Sequence, residues 1–464
     1  MSLVYRDGGS FRDPNGSVLL GEGRVFRTIM PNAAPDHEAV RRIGVLRELA
    51  ERGWVIAEHP ADKADLQGAA DDAAYVVEHP RVPFISYPYE WGFHALKDAA
   101  LLHLDLHLHC LDHGVTLSDA SAYNIQFLGP APVFIDTLSF RPYRDGEFWI
   151  GHRQFCDQFL NPLLLRAVLG IPHNAWYRGN LEGIPNRELA QALPVSSKLS
   201  WNVFKHVVLQ SALDRLAARS GVPQATAKIA LPRESFRKML SALRKWVSTL
   251  EVPRNGHSTL WSRYANDNSY SEEEARKKAH FVRTFASETR PAVLWDLGCN
   301  TLDYSKIALS AGAGLAIGFD FDIGVVERAY ERAKAEGLNL LPLQLDITNP
   351  SPSQGWGQKE RKGLLERGPA DALLALALVH HLAIARNVPL AYVVDWLTGL
   401  ARTGVIEFVP KSDPMVGQLL RLREDIFPDY SEEAFRHLLG ARSRIRRSER
   451  ISATGRTLYW FERP

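Results

Sequence analysis

The chain has 464 residues, 45% hydrophobic and 23% charged, which is the composition of a globular protein too long for one ordinary core. A formal net charge of +2 removes bulk basicity as an argument for nucleic-acid binding, and three cysteines (Cys110, Cys156, Cys299) form neither a disulfide framework nor a metal-binding spacing. The longest apolar run, "ALLALALV" from Ala372, falls far short of the ~20 residues of a membrane span. Met1–Gly16 carries no basic segment followed by an apolar one, so no secretory signal is expected and a cytoplasmic protein is.

In chain order, "GSVLLGEGRVFRTI" from Gly16 predicts two strands joined by a glycine turn. "YPYEW" at Tyr87–Trp91 reads as a buried aromatic connection. "ALKDAALLHLDLHLHCLDHG" from Ala95 predicts a long helix. His103 and His107, and His109 and His113, stand one turn apart on it. A polar stripe opposite a leucine face is the expectation, since no further cluster completes a zinc set. Phe148–Leu250 reads as mainly helical. A polar linker with Pro253 and Gly256 follows, and a capped helix is expected from about Ser271. The boundaries expected are 1–90 for an α+β lobe, 91–255 for a mainly helical module and 256–464 for the last domain.

The last domain alternates strand and helix. "AVLWDLG", "LAIGFDFD", "LNLLPLQLDI", "DALLALALVHHL" and "TGVIEFVP" read as strands, with amphipathic helices between them. The fourth is apolar on both faces, as a central parallel strand should be. "RIRRSERISATGRTLYWFER" predicts a closing antiparallel hairpin around Thr454-Gly455. The fold class expected is α/β, a doubly wound and mostly parallel sheet with an antiparallel terminal hairpin, preceded by an α+β domain and a helical segment. The hairpin arginines (Arg442, Arg444, Arg446, Arg447, Arg450) read as a solvated face, because no aromatic residues interleave them.

In such a sheet a ligand sits beyond the carboxyl ends of the strands. Asp296, Asp320 and Asp346 end the first three. Gly298 allows close backbone approach, and Cys299 reads as a small packing residue. Asp320 can accept from both hydroxyls of a ribose, and Asp346 with the Ile347 amide can address an adenine edge. A pyrophosphate would want a third glycine and no acid at the helix start. Here stand Asn300, Leu302 and Asp303, which suit a phosphate-free cation such as S-adenosylmethionine.

"DLGCNTLDYS", "GFDFD", "LQLDI" and "ALALVHHL", in this order, resemble the motifs of class I S-adenosylmethionine-dependent methyltransferases from about Tyr264 to the end. That resemblance implies a methyl donor held by Asp296, Gly298, Asp320 and Asp346; Asn300, Phe321 and Ile347 complete the expected donor site. The departure lies at Asn300 and Leu302, where the family often has glycine. It requires the Leu302 side chain to point away from the donor, or the loop to take another path. Over the whole chain, "HHLAIARNVPL", "IEFVPKSDPMV", "REDIFPDYSEEAF", "YPYEW" and "QFCDQFLNPLLL" resemble the NoeA-like nodulation methyltransferases. Methyl transfer to a hydroxyl or acidic N–H needs a base. His381 or His380, just past the fourth strand, is the candidate, with Glu407 at the end of the fifth as a substrate or orienting contact.

A second pattern lies in "LSDASAYNIQFLGPAPVFID". Asp119, Asn124 and Asp136 resemble the catalytic loop and metal-binding aspartate of protein kinases and aminoglycoside phosphotransferases. The resemblance makes Asp119 the acceptor contact and Asn124 and Asp136 ligands of Mg²⁺ with ATP. Ser118 and the missing glycine after Asp136 depart from it. "GEGRVFRTI" is the candidate phosphate loop, and Arg27, partnered by Glu38 or Glu48, replaces the usual lysine. The reading favoured is a methyltransferase acting on a small-molecule or glycan acceptor, with the kinase-like module holding that acceptor. A bifunctional kinase–methyltransferase and a non-catalytic S-adenosylmethionine-binding sensor or scaffold stay open as alternatives.

Overall fold

The computed structural model describes residues 4–220, 231–253, 271–421 and 424–464, and among these described residues the apolar runs and the turn residues between them produce sixteen strands. Chain contacts divide the protein into two units: Met1–Gly256 with Gln354–Arg361, and His257–Ser353 with Lys362–Pro464. Most of the predicted linker falls in residues 254–270, outside the described residues.

In the first unit, β1 (Tyr5–Arg6), β2 (Val18–Gly21), β3 (Arg24–Ile29), β4 (His59–Pro60) and β5 (Tyr75–His79) make an antiparallel sheet in the order β1-β2-β3-β5-β4. The predicted strand pair is β2–β3. Its turn is Glu22-Gly23, both at positive φ (52° and 77°), a geometry whose twist matches that of paired strands. The long helix spans Phe93–Asp112. After it come β6 (Val115–Leu117), β7 (Ile125–Leu128), β8 (Ala131–Phe134) and β9 (Phe140–Pro142), which pair β6 with β9 and β7 with β8.

The histidine stripe is not polar throughout. His103 and His107 are fully buried. The His107 Nε2 is 2.8 Å from the Thr116 hydroxyl, and His103 stacks on Trp149. Burial drives His103 down to about 3, so it packs as a neutral aromatic ring. The Tyr87–Trp91 connection is buried as expected, and the Glu90 carboxylate accepts from the Tyr87 amide at 3.0 Å.

The second unit opens on the helix Glu272–Thr289, capped by Ser271 and Glu274 in a reciprocal box. Its strands are β10 (Val293–Leu297), β11 (Leu315–Asp320), β12 (Leu340–Gln344), β13 (Ala370–Ala375), β14 (Ala401–Phe408), β15 (Arg444–Arg450) and β16 (Thr457–Glu462). Their order is β12-β11-β10-β13-β14-β16-β15, parallel from β12 to β14 and antiparallel at β16 and β15. Counted from β10 this is 3-2-1-4-5-7-6, which inserts an antiparallel strand where the dinucleotide fold continues 4-5-6. The edge strand β15 keeps Arg444, Arg446, Arg447 and Arg450 out in solvent and carries a register shift between Ile445 and Arg447; both features blunt an edge against further pairing.

The fourth strand is shorter than predicted. It stops at Ala375, and the chain turns at Ala377 with φ 51° before the helical turn His381–Ala385. Among the described residues, no helix is long and apolar enough to cross a membrane.

Candidate functional site

The carboxyl ends of β10, β11 and β12 bring Asp296, Asp320 and Asp346 to one edge of the sheet. The turn after β10 hangs on β11. The amides of Gly298 and Cys299 donate to the Phe319 carbonyl at 2.8 and 3.1 Å, and the Asn300 amide to Asp320 Oδ2 at 3.2 Å. The Asp322 amide holds the other Asp320 oxygen at 3.0 Å. Asp320 is thus aimed by two backbone donors. Its neighbour Phe321 is 42% exposed, a large apolar ring left at the strand end. Burial raises the Asp320 carboxyl to about 6 against those two hydrogen bonds.

Leu302 resolves the departure noted in the sequence. It sits in the left-handed region at φ 72°, as the residue before the helix Asp303–Ser310, and Asn300 is left-handed too at φ 46°. Such a backbone ordinarily calls for glycine. The Leu302 side chain is fully buried in the core cluster with Cys299 and Leu294, and so points away from the ligand edge. The room comes from Gly318 on β11. A Cβ there would lie 2.9 Å from Cys299 Sγ and 3.2 Å from Leu302 Cδ2. The glycine that the turn lacks is supplied by the neighbouring strand.

Asp303 is paired with Arg332 at 2.7 Å, so its charge at the helix start is balanced. The electrostatic objection to a pyrophosphate therefore falls. Asp296 is buried, accepts from the Ser305 hydroxyl at 2.5 Å, and is raised to about 6 by burial. Asp346 takes the amide and hydroxyl of Thr348 at 2.9 and 2.7 Å in a local turn beside Ile347.

His380 and His381 lie just past β13 with ring centres 4.1 Å apart. His380 is buried and its Nδ1 has no hydrogen-bond partner. His381 is part-exposed; burial and then Arg456 lower it to about 4. Both rings are therefore neutral at pH 7, and His381 is the one open to a ligand. Glu407 is fully buried. It lies 2.8 Å from Lys278 Nζ and 3.9 Å from Arg456, and accepts from the Ala377 amide at 3.0 Å. Its contact with Ala377 ties the end of β14 to the turn that ended β13 early. Asp413 clasps Arg456 at 2.7 Å. Sequence reasoning missed Lys278 and Arg456. The signal for Lys278 was present: it falls in register with the buried stripe Phe281, Val282 and Phe285.

In the first unit Asp119, Asn124 and Asp136 do come together. The Asn124 amide donates to both Asp119 oxygens at 3.1 and 3.2 Å and to Asp136 at 3.3 Å. Burial and then the Asp136 charge raise Asp119 to about 6. Arg27 on β3 lies 2.7 Å from Asp136 and 2.8 Å from Asp13. This corrects its expected partners: Glu38 accepts from the Tyr75 hydroxyl and Glu48 pairs with Arg52 at 2.6 Å. The expected phosphate loop is corrected as well. Gly21–Gly23 is a tight hairpin turn, too short to wrap a phosphate.

The second unit is an α/β fold with a mixed, mainly parallel sheet. No protein-family model matches the chain. It is 46% identical over 460 residues to nodulation protein NoeA of Rhizobium meliloti (strain 1021), a match spanning 99% of this chain and 96% of that protein. The chain belongs to the NoeA family. Among solved structures, magnesium protoporphyrin IX methyltransferase of Synechocystis PCC 6803, with bound SAH, is similar at TM-score 0.33 and 19% identity, covering 44% of this chain and 93% of that one. N-methyltransferase NodS of Bradyrhizobium japonicum WM9 is similar at TM-score 0.30 and 13% identity, covering 43% and 99%.

Proposed function

We propose that the second unit is an S-adenosylmethionine-dependent methyltransferase acting on a hydroxyl or amine of a small molecule or glycan. The observation that carries the reading is Asp320, held by the Asn300 and Asp322 amides at the carboxyl end of β11, with the exposed Phe321 ring beside it. That carboxylate suits two ribose hydroxyls, and the ring suits an adenine face. The buried Leu302 leaves the turn after Gly298 clear, so the residues present fit the donor. The donor, when bound, supplies an electrophilic methyl group on a sulfonium. His381, neutral and part-exposed, takes the acceptor proton, and Lys278, Glu407 and Arg456 fix the turn that presents it. Titration with S-adenosylhomocysteine, beside Asp320→Ala, tests the reading.

The cluster of Asp119, Asn124 and Asp136 favours a second activity. Two carboxylates bridged by one carboxamide, with Arg27 against Asp136, suit a divalent cation and a nucleotide phosphate. In this reading the first unit is kinase-like, and β6–β9 with β7–β8 frame the loop that carries Asp119. Mg-ATP binding that disappears in Asp136→Asn supports it. A cluster that takes no Mg-ATP leaves the first unit as an acceptor-holding module.

A further inference from the structure

Among the described residues, two single-turn π-helices interrupt the helical part of the first unit, at Cys156–Leu160 and Phe204–Val208. Such insertions re-aim side chains and are frequent at functional sites. Here they carry Cys156 and His206 to the side of His152, the first residue of the helix His152–Phe155. His152 Nε2 is 3.1 Å from His206 Nδ1 and 3.7 Å from Cys156 Sγ, and the three ligand atoms all lie within 4.8 Å of one another. On a tetrahedral zinc ion with ordinary bond lengths, two nitrogens stand about 3.3 Å apart and nitrogen and sulfur about 3.6 Å apart.

We propose that His152, Cys156 and His206 bind one Zn²⁺ ion, as a structural clamp behind the Asp119 loop. Cys156 and His206 are buried and His152 is part-buried, so three protein ligands leave one position on the His152 side. Burial pushes the Cys156 thiol up; the ion itself deprotonates it, and one proton leaves to solvent. The nearby Lys205 charge acts on both imidazoles and opposes a cation, so the thiolate is needed to balance the site.

The clamp has something to hold. Gly151 packs against the Asp119–Ala120 backbone so closely that a Cβ would lie 2.9 Å from that of Ala120. Gln154 accepts from the Ala120 amide and Gln158 from the Ala122 amide, each at 2.8 Å. One stretch of helix thus carries two of the zinc ligands and braces the loop. Zinc binding itself does not depend on either activity proposed above.

The test uses the full chain without a histidine tag, stripped with chelator and titrated with Zn²⁺ against a chromophoric chelator, then with Co²⁺ by absorption. The expected results are one equivalent of zinc, release of a proton, and a thiolate-to-cobalt charge-transfer band. Cys156→Ser and His206→Gln should each weaken zinc by more than about a hundredfold, since even outer-shell changes cost 10–100-fold. Absence of zinc binding by the folded wild type overturns the proposal, and so does equal binding by Cys156→Ser. The cobalt spectrum needs no variant: a wild-type adduct without the thiolate band also overturns it.

Discussion

The buried pair Lys278–Glu407 offers a sharp test of how the second unit holds its site. Both side chains are nearly inaccessible (3% and 0%) and their charges are 2.8 Å apart. With an effective dielectric of about 20, attraction at that distance is about 6 kcal/mol. Most of it offsets the desolvation of two ions, yet removing one partner costs about 3–5 kcal/mol, because the other stays buried and charged. Glu407→Gln keeps the size and one oxygen to accept from Ala377, and replaces the charged carboxylate with a neutral amide. Lys278→Met removes the other. Each single variant should lower the opening energy of the sheet by about 3 kcal/mol or more, and the double variant should recover about 2–3 kcal/mol of the summed loss. Because a chain of two units need not unfold in one step, the assay is native-state hydrogen exchange of the β10 and β14 peptides by mass spectrometry. Single variants that each cost under about 1 kcal/mol and add without coupling would refute the reasoning.

Three further outcomes follow from the same geometry. Gly318→Ala drives a methyl into Cys299 and Leu302, so it should cost about 1–3 kcal/mol and weaken S-adenosylhomocysteine; wild-type protection and affinity would count against the packing account. Asp320, raised to about 6, must be ionised to accept the ribose hydroxyls. As pH falls through that value the free protein gains a proton that binding must expel, so the dissociation constant should climb, by up to about tenfold per pH unit, and Asp320→Asn should lose the share of that slope due to Asp320, Asp296 being raised to about 6 as well. Asp136→Asn should abolish Mg-ATP binding while S-adenosylhomocysteine binding stays unchanged; loss of both would show a folding defect instead.

Local chemistry made much of the second unit legible. The Ser271 cap, the alternation of strands and helices, and the closing hairpin are each written in a few adjacent residues. The acids at Asp320 and Asp346 were found because a parallel strand must end somewhere, and its end is the ligand edge. What was not legible depends on partners distant in the chain. The run Asp371–Leu382 reads as one apolar strand, yet it turns at Ala377, where Glu407 from the next strand holds the amide. Leu302 looked anomalous until Gly318, on another strand, was seen to make its space. Arg27 was matched to Glu38 or Glu48 through the kinase resemblance, whereas the sheet turns it toward Asp136. His103 and His107 were assigned to a polar stripe because residue type was read before burial; packed neutral, they are core aromatics.

The measurement that bears most directly on the central claim is calorimetric titration of the full chain with S-adenosylhomocysteine, repeated on Asp320→Ala. The wild type should show saturable one-site binding, lost in the variant while the exchange pattern of its β10 and β14 peptides stays native. A folded wild-type protein that binds no S-adenosylhomocysteine, or a variant that binds it equally well, would contradict the claim that the edge of this sheet is a methyl-donor site.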